Sequence, residues 1–257
     1  MFTRKDFLSP EKLKSILADP QAKIYLLTKP KGVPSFRAVA ILRRLLGLKK
    51  VGFAGTLDPL ASGLLIMATG QATKLLDYFH NLPKTYEAQI IFGQTSATYD
   101  LEGPVEINSQ AKPFVREFVE GLLKKFLGPQ LQQVPLYSAK KVKGQTLYKL
   151  ARQGKKITPP SQRVEIYGLT IKDFSYPKLD LVVECSTGTY IRSLAHDLGE
   201  ASGQGALLGE LCRTAIGNFK ISQTLALENL NKSILEKNSL TAQGVIDYLN
   251  QYYLGRP

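Results

Sequence analysis

Gly52-Phe53-Ala54-Gly55-Thr56-Leu57-Asp58-Pro59-Leu60-Ala61-Ser62-Gly63 is a glycine-punctuated stretch that carries one carboxylate. It reads as a loop. Pro59 disfavours the helical region at Asp58 and restricts its backbone. Glycines at 52, 55 and 63 permit close approach of other backbone. The stretch is not a nucleotide loop. The Walker pattern GxxxxGK[ST] is absent, and Gly203-Gln204-Gly205 meets Gly209 one residue too late for GxGxxG. A lone Asp-Pro more often caps a turn than performs chemistry, so the surroundings must decide.

Outward from that loop the chain alternates between strand-like and helix-like segments. Ile24 to Thr28 is a short apolar run stopped by Lys29-Pro30, which reads as a strand and a turn. Pro34-Ser35 opens a helix to about Leu46, with Ser35 placed to cap it and Gly47 to end it. Leu64 to Thr69 is continuously apolar, as in a buried strand. Tyr86, Ala88, Ile90 and Phe92 alternate with polar residues, the period of a strand. Thr95 to Gly103 reads as a polar loop. Phe114, Val115, Phe118, Val119, Leu122, Leu123 and Phe126 recur at helical spacing. Leu181 to Cys185 reads as a strand; Tyr190 to Glu200 and Ala206 to Arg213 read as helices. There is no internal repeat and no strict βαβ alternation, so the expected class is α+β with a mixed central sheet flanked by helices.

Composition narrows the partners. The net charge is +13, which points to a polyanion. From Lys140 to Arg163 lie Lys140, Lys141, Lys143, Lys149, Arg152, Lys155, Lys156 and Arg163 with no intervening acid, and Tyr137 and Tyr148 nearby. A solvated face would mix signs, so this segment is expected to meet phosphates. Two cysteines, Cys185 and Cys212, form no CxxC pair, and the histidines are His80 and His196 alone. Neither a disulfide framework nor a metal site is expected. No apolar run reaches the roughly 18 residues of a membrane span. The polar N-terminus lacks a signal core, and a cytoplasmic protein is expected.

Several segments together resemble one family. Gly55-Thr56-Leu57-Asp58-Pro59-Leu60-Ala61-Ser62-Gly63 followed by Gly70-Gln71-Ala72-Thr73-Lys74 resembles the catalytic motif of the TruB family, the bacterial tRNA pseudouridine-55 synthases. Lys29-Pro30-Lys31-Gly32 resembles its N-terminal KPxG motif, and Lys84-Thr85-Tyr86 its K-x-Y segment. Gly188-Thr189-Tyr190-Ile191-Arg192 resembles its G-T-Y-I-R segment. Val134 to Gly154 resembles its RNA-contacting insertion. The resemblance spans about 23–220, and its ordered motifs are far more specific than any one of them.

The resemblance implies a pseudouridine synthase fold with a basic insertion at about 128–160, and it implies roles. Asp58 matches the catalytic aspartate, Arg192 the arginine that pairs with it, and Tyr86 the tyrosine that stacks on the extruded base. Tyr190 and Leu211 match residues lining the same pocket. Lys29, Phe53, Lys140, Lys141, Lys143 and Arg152 complete the expected substrate-binding set. The chemistry needs no cofactor: an N-glycosidic bond breaks, the uracil turns, and a C–C bond to C5 forms. The carboxylate can attack the base or the ribose, or assist proton loss at C2′. The implied partner is the T-arm of tRNA, with no obligate protein partner and no membrane. The rival readings are a tRNA-binding chaperone without catalysis and a synthase for another RNA.

Two departures stand out. Phe53 occupies a position where most bacterial members carry histidine. The chain after Arg213 is short for the remaining catalytic domain plus a C-terminal PUA module, so 1–22 is expected to be an extension, 23–220 the catalytic domain and 221–257 its remainder.

Overall fold

The computed structural model describes residues 9–142, 144–154 and 157–255. In chain order the first elements are α1 (Pro10–Leu17), β1 (Lys23–Lys29), α2 (Ser35–Leu46), β2 (Val51–Ala54), β3 (Ser62–Thr69) and α3 (Leu76–Asn81). Then come β4 (Lys84–Phe92), β5 (Gln94–Ser96), β6 (Val105–Ile107), α4 (Arg116–Lys124), β7 (Gly128–Gln133), β8 (Lys141–Val142), β9 (Gln145–Thr146) and α5 (Leu147–Arg152). The chain continues with β10 (Ser161–Ser175), β11 (Lys178–Cys185), α6 (Ile191–Ser202) and β12 (Ala206–Ile216). It ends with β13 (Phe219–Lys220), β14 (Leu225–Ala226), α7 (Lys232–Lys237), β15 (Leu240–Thr241) and α8 (Ala242–Leu254). Two compact units divide the chain, one of 1–82 with 213–257, the other of 83–212.

In the first unit β1 lies antiparallel to β3, with Ile24 opposite Ala68 and Lys29 opposite Gly63. β2 pairs antiparallel with β3, and β14 runs parallel to β1, so the sheet is mixed. Both faces of this sheet are covered, which is why β1 and β3 read as unbroken apolar runs. Ile24, Leu26, Leu64 and Ile66 pack with Phe79 of α3 and with Val245, Ile246 and Leu249 of α8. Tyr25, Leu27, Leu65 and Met67 point the other way, onto Val39 and Leu42 of α2 and Leu235 of α7. Each fully buried aliphatic side chain here contributes about 1.5–3 kcal/mol.

In the second unit β4 pairs antiparallel with β11, β11 with β10, and β10 with β7. The burial of β4 alternates from Lys84 to Ile90, as its period-2 sequence requires. The mixed-sheet α+β class agrees with the sequence.

Several local expectations need correction. Ala206–Ile216 is a strand, not a helix. It is buried along most of its length, and a strand covered on both faces shows a continuous apolar run that periodicity cannot separate from a buried helix. The stretch 52–63 is not all loop, because β2 takes in Gly52 to Ala54 and β3 begins at Ser62. Gln94–Ser96 pairs with Val105–Ile107, so a small hairpin frames the polar turn expected over 95–103. The helix expected over 114–126 is confined to Arg116–Lys124. Ser35 does not cap α2: Pro34 is the cap residue, with no side-chain hydrogen bond, while Gly47 ends the helix at φ 68° as expected.

Candidate active site

The Asp58 loop is pinned at every second residue. Leu57 N–H donates to Ser35 Oγ at 3.0 Å, and Ser35 Oγ donates back to Leu57 O at 2.8 Å. Pro59 O accepts from Gly32 N–H at 2.7 Å and from Lys29 Nζ at 3.4 Å. Gly55 O accepts from Arg213 Nη2 at 2.9 Å. Leu57 and Leu60 are buried, so their side chains anchor the loop into the first unit. Ala61 N–H closes a turn onto Asp58 O at 3.1 Å. Asp58 itself is half-buried between these fixed points. A carboxylate held this way loses little freedom when it meets a substrate.

Two buried cations do the pinning. Lys29 is fully buried, and its ammonium also donates to Val33 O at 2.7 Å and Pro30 O at 3.0 Å. Arg213, 1% exposed, donates from Nε to Leu64 O at 2.9 Å as well as to Gly55. A buried charge is tolerated where carbonyls satisfy its protons. Phe53 lies on β2 opposite Met67 and packs against the Tyr25–Leu27–Leu42 core.

The second unit holds the other expected residues. Tyr86 sits on β4 opposite Val183 and is 9% exposed. Leu211, on β12, is equally buried. Tyr190 immediately precedes α6. Its N–H donates to Gln132 Oε1 at 2.8 Å, and its carbonyl accepts from Gln132 Nε2 at 3.1 Å. Arg192 opens the buried face of α6. Its Nε lies 3.5 Å from Asp100 Oδ2, and both side chains are almost wholly buried. Nη1 donates to Thr98 O at 2.9 Å and Nη2 to Tyr137 O at 3.1 Å. Asp100 Oδ1 accepts from Thr98 Oγ1 at 2.6 Å and from Glu102 N–H at 3.0 Å.

Tyr99 and His196 clip the loop bearing Asp100 onto α6. Their rings stack with centroids 4.0 Å apart and 9° between planes. Tyr99 takes φ 63°, a left-handed conformation unusual outside glycine. Burial, with help from Asp197 and Glu200, pushes its phenol pKa up, so the ring stays neutral. In the basic segment Lys140 donates to Gln162 Oε1 at 3.2 Å, and Gln162 Nε2 reaches Gly188 O. Arg152 lies 4.9 Å over the Tyr148 ring, and Tyr148 meets Tyr137 edge-on. Lys141 and Arg152 are exposed; Lys143, Lys155 and Lys156 lie outside the described residues.

A family model described as the N-terminal domain of TruB family pseudouridylate synthases matches residues 43–191. A second, the C-terminal domain of tRNA pseudouridylate synthase B, matches residues 192–254. The chain belongs to the TruB family. A tRNA pseudouridine synthase B of Acaryochloris marina is 46% identical over 211 residues, 81% of this chain and 73% of that one. The enzyme of the same name from Clostridium tetani is 38% identical over 84% of this chain and 74% of its own. Among solved structures, a Cbf5-Nop10-Gar1 complex contains a chain 25% identical at a TM-score of 0.64. The match covers 100% of this chain and 63% of that one. An archaeal box H/ACA Nop10-Cbf5 complex gives 23% identity at a TM-score of 0.65, over 96% and 68% of the two chains. This last likeness shows the pseudouridine synthase fold alone.

TruB motifs thus fall on the pinned loop, on β4 and on the start of α6. Three supports of this TruB chain carry no local sequence signal of their role. Asp100 lies inside a polar turn, 92 residues before its arginine. Ser35 at the start of α2 has the sequence of a helix cap, and Arg213 ends a segment that reads equally as a helix. Burial alternates along Leu211-Cys212-Arg213-Thr214-Ala215, the period of a strand, but residue polarity there does not.

Proposed function

We propose that this TruB-family enzyme isomerises uridine to pseudouridine at position 55, in the T-loop of tRNA, with Asp58 as the reacting carboxylate. The observation that carries the reading is the placement of Asp58, half-exposed between backbone groups fixed by Ser35, Lys29 and Arg213. The names of its relatives support tRNA as the substrate.

A uridine inside a folded loop must leave its stack before any side chain reaches it. Tyr86 is the ring assigned to the extruded base, at roughly 1–3 kcal/mol per stacked base. Asp58 then attacks the base or the ribose, or takes a proton from C2′. The C1′–N1 bond breaks, the uracil turns, C1′ joins C5, the C5 proton leaves to solvent as N1 takes one up, and Asp58 is released from its adduct or returns the C2′ proton. Atoms and electrons balance with no cofactor. Arg192, as the guanidinium assigned to the carboxylate, would hold it ionised. Tyr190, Leu211 and Phe53 are the assigned pocket walls. Lys29 serves the substrate through the loop it supports, while Lys140, Lys141, Lys143 and Arg152 supply phosphate contacts. We place the activity in the cytoplasm. Among the described residues no helix is long and apolar enough to cross a membrane.

The test is conversion of a T-arm hairpin read by carbodiimide labelling. Wild type should label the hairpin at one uridine, and Asp58→Asn should bind within a few-fold but show no turnover. Binding without conversion by the wild type would make the protein a chaperone. Conversion of another RNA but not the T-arm would redirect the substrate. Substantial single-turnover activity in Asp58→Asn, free of deamidation, would overturn the assignment of Asp58.

A further inference from the structure

The basic segment at 140–163 is not the only acid-free stretch. From Pro20 to Leu57 the chain has no aspartate or glutamate, yet it carries Lys23, Lys29, Lys31, Arg37, Arg43, Arg44, Lys49 and Lys50. Lys29 is consumed inside the fold, but most of the others face solvent. α2 sorts them. Its buried positions are Ser35, Ala38, Val39 and Leu42. At 100° per residue, Arg43, Phe36, Ala40, Arg44 and Arg37 fill a single arc on the opposite side. All five are exposed.

Phe36 is the unexpected member of that arc. It is 65% exposed, one of the most exposed large apolar side chains in the protein. A core helix gains nothing by presenting phenylalanine to water. Among the described residues no carboxylate forms an ion pair with Arg37, Arg43 or Arg44. An aromatic ring flanked by unpaired guanidinium groups suits single-stranded or looped nucleic acid: the ring takes a base face, and the cations take phosphates. The face is also tied to the site. Ser35, next to Phe36, is the residue that holds Leu57 and so the Asp58 loop.

We propose that the outer face of α2 is a second RNA-docking surface. Phe36 stacks on an unpaired base near the target uridine, and Arg37, Arg43 and Arg44 neutralise the flanking phosphates. This rests on the reading of the protein as an RNA-modifying enzyme, and it adds a contact outside the basic insertion. Its consequence is positional. RNA gripped by α2 is delivered to the loop that the first residue of the same helix holds in place.

The probe is the T-arm hairpin, compared with a fully paired duplex of the same stem. In the triple variant Arg37→Gln, Arg43→Gln, Arg44→Gln, the slope of log K against log salt should flatten by about two to three, at 0.7–0.9 per phosphate contact. The matching lysine triple should keep the wild-type slope. Phe36→Ala should weaken hairpin binding about tenfold and leave duplex binding unchanged, because a paired base offers no free face; Phe36→Trp should restore it. An unchanged slope in the glutamine triple, or equal effects of Phe36→Ala on hairpin and duplex, would each overturn the proposal. If the triple variant does not fold, Arg43→Glu alone should lower the slope by about one, and no change there is equally fatal. Loss of binding to phosphatidylglycerol vesicles, with the hairpin slope intact, would assign the face to lipid instead. Wild-type protein that neither binds nor converts the hairpin would remove the enzymatic reading itself. Normal conversion with an unaltered slope in the triple variant would remove only this surface.

Discussion

Ser35 Oγ and the Leu57 peptide exchange two hydrogen bonds, at 3.0 and 2.8 Å, across 22 residues of chain. Both partners are buried. The hydroxyl therefore performs for the loop what a strand neighbour performs in a sheet, and it does so one residue before Asp58.

Ser35→Ala leaves the Leu57 N–H and carbonyl buried without that partner, at a cost of about 1–3 kcal/mol. The expected result is a lower midpoint in urea with an unchanged m-value, and turnover reduced more than RNA affinity. Equal stability of variant and wild type would mean that the loop finds another anchor.

Asp100→Asn removes the negative charge facing a buried guanidinium. Breaking a buried ion pair from one side costs about 3–5 kcal/mol where geometry is good. The 3.5 Å separation of Arg192 Nε and Asp100 Oδ2 argues for the lower end. Thermal unfolding should shift down, and single-turnover conversion should slow while hairpin affinity changes little. Unaltered rates would confine Asp100 to a structural part.

Gly63 permits the close approach of β3 and β12. Its φ is +113°, and a Cβ there would lie 2.4 Å from the Arg213 carbonyl oxygen. Backbone cannot swing aside as a side chain can. Gly63→Ala should therefore yield insoluble or strongly destabilised protein, scored by soluble yield and thermal midpoint. A soluble variant of wild-type stability would contradict the close approach of Gly63 to the Arg213 backbone.

Lys140→Ala with Lys141→Ala should weaken hairpin binding and lower the salt slope by about one to two. Both residues are exposed, so stability should stay within about 0.5 kcal/mol. An unchanged slope would exclude this segment from the interface.

Burial holds the Cys185 thiol protonated, its pKa pushed up to about 11 despite the opposing pull of Thr189 and Lys84. At pH 8 the native protein should leave Cys185 unalkylated by iodoacetamide, while denatured protein reacts, as peptide mapping would report. Because the folded pKa exceeds the unfolded one, this thiol's contribution to stability is complete below about pH 9 and declines as pH rises toward 11. Rapid labelling of Cys185 in the native state would show that its strand opens.

The sequence alone settled those features whose signal is local. The unbroken apolar runs of β1 and β3 announced buried strands, the Gly47 stop announced the end of α2, and the ordered motifs around Asp58, Tyr86 and Arg192 announced the family. Where the local signal is degenerate, the sequence does not decide. β12 passed for a helix because burial on both faces erases the period that separates the two. Ser35 passed for a cap because a serine at a helix start offers the same hydroxyl to its own amides or to a distant loop. The pairing of Asp100 with Arg192, the grip of Arg213 on Gly55 and the exposed arc of α2 were decided by tertiary structure. Charge and hydrogen-bonding capacity are written in each residue, but a partner 92 or 158 residues away is fixed only when packing brings the two together and excludes the water that would otherwise satisfy both.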